Sequence, residues 1–286
     1  MSEPKIKING EKYKAKDRVR ADRTDELYKD IPEGGTLMTI KDLRVVYRTD
    51  DSETVAVENF SLDVKKGELI SIVGPSGCGK TTILRCIAGL LQPTEGKVMI
   101  GDKECTSPGS DRGMVFQDFA LFPWRSVVQN VEFGMEVAGV PKEERRERAL
   151  RYVKAVGLEK FANSRIHELS GGMKQRVGIA RALVMHPAVV LMDEPFGALD
   201  AQTRNIMQET LNKIITHSAR TVLFVTHSVD EALYLSDRVV VLSKRPSSIY
   251  KVVDVTWPRP RDRAAPEFTE LRKKILSYLE EQNVME

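Results

Sequence analysis

Residues 74–81 read G-P-S-G-C-G-K-T and carry the strongest chemical signal in the sequence. They lie between an apolar run that ends at Val73 and a helical pattern, which is the setting of a phosphate-binding loop. Glycines let the backbone curl so that successive N–H groups point inward, and the start of the following helix adds positive charge. We predict that nucleotide phosphates are held here by Gly74, Pro75, Ser76, Gly77, Cys78, Gly79, Lys80, Thr81 and Thr82.

Two adjacent carboxylates end a second apolar run, V-V-L-M-D-E, at residues 189–194. Asp193 can hold a Mg²⁺ ion together with the Thr81 hydroxyl, while Glu194 faces another direction and is free to act on water. We predict that Glu194 is a general base and that Lys80 stabilises charge on a transferred phosphoryl group. A strand that simply ends at the surface is the alternative, which the upstream phosphate-binding loop disfavours.

Residues 169–176, L-S-G-G-M-K-Q-R, open another helix with a serine and two glycines. A helix that begins in this way presents free N–H groups, so Ser170, Gly171 and Gly172 form a second potential anion-binding site. One triphosphate does not need two such helix ends from one chain.

The elements that must position these residues follow an α/β pattern. Residues 37–64 predict two antiparallel strands, and later apolar runs alternate with amphipathic helices, which predicts a mostly parallel sheet. Between residues 126 and 164 the sequence turns helical, and the charge-dense stretch 142–151 is expected on a solvated face. The strands are predicted at residues 69–73, 113–116, 188–192, 221–225 and 238–242, and a helix is predicted at 80–90.

Three regions are expected along the chain. Residues 1–35 are an extension of unknown role with a possible hairpin at Asn9-Gly10. Residues 36–255 form the domain that carries the phosphate-binding loop, with an antiparallel β subdomain and a helical subdomain at about 120–185. Residues 256–286 form a tail with an amphipathic helix whose apolar positions are Phe268, Leu271, Ile275 and Leu279.

Composition excludes several classes of protein. Charged residues make up 30% and hydrophobic ones 41% of the 286 residues, as in an ordinary globular enzyme. The net charge of +3 does not indicate nucleic-acid binding. Three cysteines at irregular spacing suit neither a disulfide framework nor a zinc site. Because a signal sequence and a membrane-spanning run are both missing, we predict a cytosolic protein that reaches a membrane only through a partner.

These motifs, in this order across residues 37–245, closely resemble those of ABC ATPases. The resemblance implies that Tyr47 stacks on adenine, that Gln117 touches the metal, that Asp200 lines a dimer interface and that His227 contacts the γ-phosphate. Taken singly, Tyr47 could be a strand aromatic, Gln117 a loop amide, and Asp200 and His227 helix caps. The family pattern further implies a head-to-tail dimer in which Ser170, Gly171 and Gly172 of one copy close on ATP and Mg²⁺ held by the other.

A finer resemblance points to importers of nitrate, sulfonate and taurine. It is carried by P-W-R-S-V at 123–127, by the segment 169–176 and by P-R-P-R-D-R at 258–263. It implies a peripheral subunit on the cytoplasmic face of the membrane, with permease subunits as partners and a solute-binding protein as an indirect one. The motor of an exporter and a cytosolic ATPase that regulates an assembly remain alternatives.

Two local features qualify this resemblance. The aromatic segment 119–124 could form a groove for a helix of a membrane partner, or it could be ordinary core packing. Met173 stands where the family signature usually has glutamine, so no polar role is assigned to it.

Overall fold

The computed structural model describes residues 28–197, 199–218 and 220–284. The hairpin predicted at Asn9-Gly10 lies outside these residues. The strands form two sheets, one with four strands and one with six. In chain order they are β1 (Thr36–Arg48), β2 (Glu53–Lys65), β3 (Leu69–Val73), β4 (Glu95–Ile100), β5 (Lys103–Glu104), β6 (Arg112–Val115), β7 (Val189–Asp193), β8 (Thr221–Val225), β9 (Arg238–Leu242) and β10 (Ile249–Asp254).

The six-stranded sheet has the order β10-β9-β3-β8-β7-β6. Its strands run parallel apart from β10, which pairs antiparallel with β9. Every residue of β3, β7 and β8 is buried, as expected for parallel strands that are covered on both faces. The predicted mostly parallel sheet is therefore confirmed, with each of its five predicted strands within one residue of the observed bounds.

The four-stranded sheet is antiparallel and has the order β2-β1-β4-β5. The predicted antiparallel pair is β1 and β2. Tyr47 of β1 pairs with Thr54 of β2 near the end where the hairpin turns. Strands β4 and β5 were not predicted from the sequence. Val57, at the centre of β2, and the buried β4 residues contribute to one core cluster that also covers one face of the parallel sheet.

Seven helices complete the described part of the chain: α1 (Lys80–Ile87), α2 (Val127–Val137), α3 (Lys142–Ala155), α4 (Gly171–Leu183), α5 (Ala201–Ser218), α6 (Val229–Leu235) and α7 (Pro266–Val284). The predicted helix 80–90 ends earlier, at Ile87, because Gly89 turns the chain with a φ of +72°. A Cβ at Gly89 would lie 2.4 Å from the carbonyl of Ser107, so only glycine fits this close approach.

Helices α2, α3 and α4 pack around a core of their own, as predicted for a helical subdomain. Ser126 begins α2 with a capping box, in which its hydroxyl and the Gln129 side chain bond each other's backbone N–H groups. The charge-dense stretch 142–151 was predicted to be solvated, and one residue corrects this. Arg148 is 4% exposed and donates to the Glu144 carboxylate at 2.8 Å, which supplies a partner for its buried charge.

Both ends of the described chain pack onto the cores beside the six-stranded sheet. Tyr28 is buried and its hydroxyl donates to Asp111 at 3.3 Å. The tail helix α7 is confirmed, and Phe268 and Ile275 are buried in the cluster beneath α5 and α6. Among the described helices, none is both long and apolar enough to cross a membrane.

Candidate functional site

The phosphate-binding loop joins β3 to α1. Gly77 and Gly79 have φ values of +72° and +113°, which side chains of other residues rarely adopt. Gly74 is restricted by space, since a Cβ there would lie 3.0 Å from the Leu242 Cβ. The Lys80 ammonium folds back over the loop and donates to the carbonyls of Gly74 at 2.9 Å and Pro75 at 2.8 Å. A positive charge therefore lies inside a curled backbone at the start of a helix, which suits a phosphate.

The other members of this loop are arranged around that curl. Ser76 and Gly77 are exposed, and a Cβ at Gly77 would meet nothing within 4 Å. The Cys78 thiol instead points into the core and is 1% exposed. Burial raises the pKa of Cys78, so only its backbone is suited to contact a ligand.

The Thr81 hydroxyl donates to Asp193 Oδ1 at 3.0 Å and brings the two predicted metal ligands together. Asp193 is the last residue of β7 and is 5% exposed. Burial raises the pKa of Asp193, and the Glu194 charge raises it further, while the bond from Thr81 lowers it. A hydroxyl and a carboxylate beside the phosphate loop are the hard oxygen ligands that Mg²⁺ prefers, so these residues fit the ion.

Glu194 and His227 face one another across the ends of β7 and β8. Glu194 has a φ of +43°, and its backbone N–H donates to the Val225 carbonyl at 3.0 Å. This left-handed conformation turns its side chain towards His227, whose Nδ1 lies 3.2 Å from Glu194 Oε2. Since an ionised carboxylate only accepts hydrogen bonds, a neutral imidazole would make this bond only as the tautomer with its proton on Nδ1.

Tyr47 and Gln117 flank this cluster. The Tyr47 ring is 41% exposed, and its hydroxyl bonds Thr82 Oγ1 at 3.1 Å, so a strand aromatic presents its face beside α1. Gln117 is exposed two residues beyond β6. It precedes a turn that Arg181 fixes by donating to the Phe119 and Ala120 carbonyls.

The second predicted phosphate-binding helix end lies apart from the first. Ser170 caps α4, with its hydroxyl accepting from the Met173 N–H at 3.3 Å, and Gly171 is exposed. Gly172 packs against Thr203 at the start of α5, which Asp200 caps by accepting from the Thr203 N–H at 2.9 Å. Among the described residues, no hydrogen bond of Ser170 or Asp200 reaches the phosphate loop.

The predicted site residues therefore form two groups. Lys80, Thr81, Asp193, Glu194 and His227 make one chemical centre at the carboxyl ends of β3, β7 and β8. Ser170, Gly171, Gly172 and Asp200 make a second group at two helix starts, in which Gly172 is buried and the other three residues are exposed.

The polar residues that hold the backbone turn around His227 were not predicted from the sequence. Glu231 of α6 is 6% exposed and accepts from the Thr226 hydroxyl at 2.6 Å. Its sequence signal is the Ser-x-x-Glu spacing from Ser228 to Glu231, which is typical of a helix start.

The aromatic segment 119–124 borders a cavity of about 420 Å³, lined among others by Phe122, Phe133, Arg181 and Met185. Phe122 packs on Phe133 with 4.5 Å between ring centroids. Trp124 is 69% exposed, so this part of the segment is not core packing.

Comparison with known proteins assigns the family. The family model described as ABC transporter matches residues 57–197. An uncharacterized ABC transporter ATP-binding protein of Methanocaldococcus jannaschii is 54% identical over 86% of this chain and 92% of its own. The chain belongs to the ABC transporter ATP-binding proteins. Its motifs resemble the ABC ATPase pattern because it is one of these ATPases.

Two further relatives of this ABC protein carry substrate names. A nitrate import ATP-binding protein of Synechocystis is 45% identical, covering 85% of this chain and 94% of its own. A taurine import ATP-binding protein of Rhizobium johnstonii is 44% identical, covering 78% and 88%. The resemblance to this branch is confirmed.

Solved structures agree with the ABC fold. A dimeric bacterial ABC transporter cassette has a TM-score of 0.70 and 35% identity, and covers 77% of this chain and all of its own. A dimeric post-hydrolysis state of an ATP-binding cassette, bound to ADP and Pi, has a TM-score of 0.69 at the same identity and coverage.

Proposed function

We propose that this ABC protein is the ATP-hydrolysing subunit of an importer for a small oxyanion or organic sulfonate. The observation that carries the hydrolytic part is the Glu194–His227 pair, which stands beside the Thr81–Asp193 pair at one edge of the sheet. That edge places a base, a hydrogen-bonding imidazole and two oxygen ligands around one phosphate loop.

The residues divide the work as follows. The N–H groups of Gly74 and of residues 76–79, together with the Lys80 ammonium, hold the β- and γ-phosphates. Tyr47 supports the adenine with its exposed ring. Thr81, Asp193 and Gln117 would hold Mg²⁺. The ion, when bound, neutralises charge that develops on the phosphate oxygens.

Glu194 accepts a proton from the water that attacks the γ-phosphorus. With both ring nitrogens protonated, His227 would donate from Nδ1 to the Glu194 carboxylate and from Nε2, on the opposite edge of the ring, to a γ-phosphate oxygen. The new bond joins water oxygen to phosphorus, the bond to the bridging oxygen breaks, and ADP and Pi are released. Lys80 stabilises the negative charge on the transferred group.

A second copy of the chain completes the pocket in this proposal. Ser170, Gly171 and Gly172 lie apart from the phosphate loop of their own chain, and the solved relatives form dimers. A head-to-tail pair would place these N–H groups on the γ-phosphate held by the partner, with Asp200 at the interface. ATP would then hold the dimer closed, because only the closed state makes these contacts.

Two observations support the proposed import role: the named relatives and the cavity beside the aromatic segment 119–124. Nitrate and taurine import proteins match most of the chain. The cavity at Phe122 and the exposed Trp124 suit a short helix of a permease, which would hold this subunit at the cytoplasmic face of the membrane. A solute-binding protein would act through that permease. The motor of an exporter and a cytosolic assembly ATPase are the competing functions.

Reconstitution tests the proposal. The chain is co-purified from detergent-solubilised membranes with its permease and placed in liposomes. ATP hydrolysis and solute movement across the liposome membrane are then measured with and without a solute-binding protein loaded with nitrate or taurine. We expect inward solute movement that depends on ATP and is lost in Glu194→Gln. Outward movement would support an exporter, and recovery without any multi-span protein would support a cytosolic assembly ATPase.

A further inference from the structure

His227 sits in a turn that is tied to a buried carboxylate. Glu231 accepts from the hydroxyl of Thr226, the residue before His227. The Thr226 oxygen in turn accepts from the N–H of Ser228, the residue after His227, at 3.0 Å. The Ser228 hydroxyl accepts from the Glu231 N–H at 3.3 Å. Both neighbours of His227 are therefore held by one residue of α6.

Glu231 also reaches α5, the helix that begins after Asp200. Its Oε1 lies 3.6 Å from Arg204 Nε, and the Arg204 guanidinium donates to the Leu199 carbonyl at 2.9 Å. The Gln208 side chain lies near Glu231 and lowers the pKa of its carboxyl group. The carboxylate thus joins the His227 turn to the first two turns of α5.

Arg263 of the tail extends this connection. Its guanidinium donates to the Gln208 side-chain oxygen and to Asn205 Oδ1, the latter at 2.7 Å. It also lies over the Tyr234 ring of α6, 4.3 Å from the centroid. Because the Gln208 oxygen accepts from Arg263, the Gln208 amide nitrogen is left to face Glu231. The last arginine of the P-R-P-R-D-R segment therefore contacts the Gln208 side chain, which lies near Glu231.

A buried carboxylate of this kind is not explained by stability alone. Burial raises the pKa of Glu231, while the hydrogen bond from Thr226 and the charge of Arg204 act against that rise. Well-packed apolar side chains often stabilise a core as well as a buried ionic network does, whereas a satisfied network fixes one geometry.

We propose that Glu231 is a positioning residue that holds His227 against Glu194, and that Arg263 supports it through Gln208. The proposal rests on the hydrolytic roles assigned above to His227 and Glu194. It also gives the helix that follows Asp200 a physical connection to the catalytic histidine of the same chain.

Three variants of the full-length chain test it: Glu231→Gln, Arg263→Gln and the control Arg272→Gln. Arg272 of α7 donates at 3.0 Å to Asp230, which lies next to Glu231 in α6. Among the described residues, Arg272 has no hydrogen bond or ion pair with Glu231 itself. Steady-state ATP hydrolysis gives kcat and KM. Nitrogen-15 NMR of the imidazoles, with His227→Ala for assignment, gives the tautomer of neutral His227.

We expect Glu231→Gln to lower kcat about tenfold, the equivalent of about 1.4 kcal/mol, with KM for ATP within about twofold. The neutral His227 ring should lose its preference for the Nδ1–H tautomer. Arg263→Gln should change both quantities in the same direction but less, and Arg272→Gln should change neither.

Retention of the Nδ1–H tautomer and of kcat in a folded Glu231→Gln or Arg263→Gln variant would overturn the proposal. If Glu231→Gln does not fold, Arg263→Gln decides. The tautomer is read without ATP, so failure of the hydrolytic roles would appear separately, as His227→Ala retaining full kcat.

Discussion

Substitution of Gly172 by alanine should separate the starts of α4 and α5. An added Cβ would lie 2.5 Å from Thr203 Cγ2, whereas ordinary contacts begin at 3.4 Å, so the two helices must move apart by about 1 Å. Thr203 cannot rotate away freely, because its N–H donates to Asp200 and a β-branched side chain in a helix has few allowed χ1 rotamers. Overpacking of this kind costs about 2 kcal/mol of unfolding free energy.

A double-mutant cycle measured by urea denaturation isolates this contact. Thr203→Ser keeps the hydroxyl and the N–H that donates to Asp200 and removes Cγ2, so alone it should cost less than about 1 kcal/mol. Gly172→Ala should cost about 2 kcal/mol in the native background and under about 0.5 kcal/mol in the Thr203→Ser background. Equal losses in both backgrounds would refute the argument from the Cγ2 contact.

Two further predictions concern the phosphate loop and the buried thiols. Gly77→Ala should cost only about 1 kcal/mol, since its φ of +72° is left-handed and its Cβ meets nothing, yet it should weaken ATP binding. Gly79→Ala should cost about 3 kcal/mol, because its φ is +113° and its Cβ would crowd the Ala56 carbonyl at 3.1 Å; urea denaturation and nucleotide titration distinguish the two. Burial raises the pKa of Cys86 to about 12, so the native thiols should resist an aromatic disulfide reagent at pH 8 and react on unfolding; reaction of Cys86 in the native protein at the rate of a free thiol would contradict this.

Apolar runs made the central strands predictable, and polar edges hid the others. Strands β3, β7 and β8 are wholly buried, so their sequences are continuous apolar runs. Strand β4 begins Glu-Gly-Lys and is exposed over those three residues, so its sequence resembles a turn. What makes it a strand is pairing with β1, a long-range contact that no local pattern encodes.

The same distinction holds in the site. Thr81, Asp193 and Glu194 were predictable because their roles require fixed residue types at fixed distances from a strand end. The arrangement of Glu231 with Arg204 was not, since it depends on how α5 and α6 pack, and the sequence separates the pair by 27 positions. Asp200 and Ser170 do cap helices in this chain, and the proposed contacts across a dimer would use the same groups.

The central claim is that two copies of the chain share each ATP, with Glu194 activating the water. The most direct measurement is the mass of purified Glu194→Gln by light scattering with Mg²⁺ and ATP. We expect a stable particle of twice the chain mass. In the double variant Glu194→Gln/Ser170→Arg the mass should return to that of a single chain, because a bulky cation at the start of α4 would block closure of the dimer. A Glu194→Gln protein that stays monomeric with Mg²⁺ and ATP, or that hydrolyses ATP at the native rate, would contradict it.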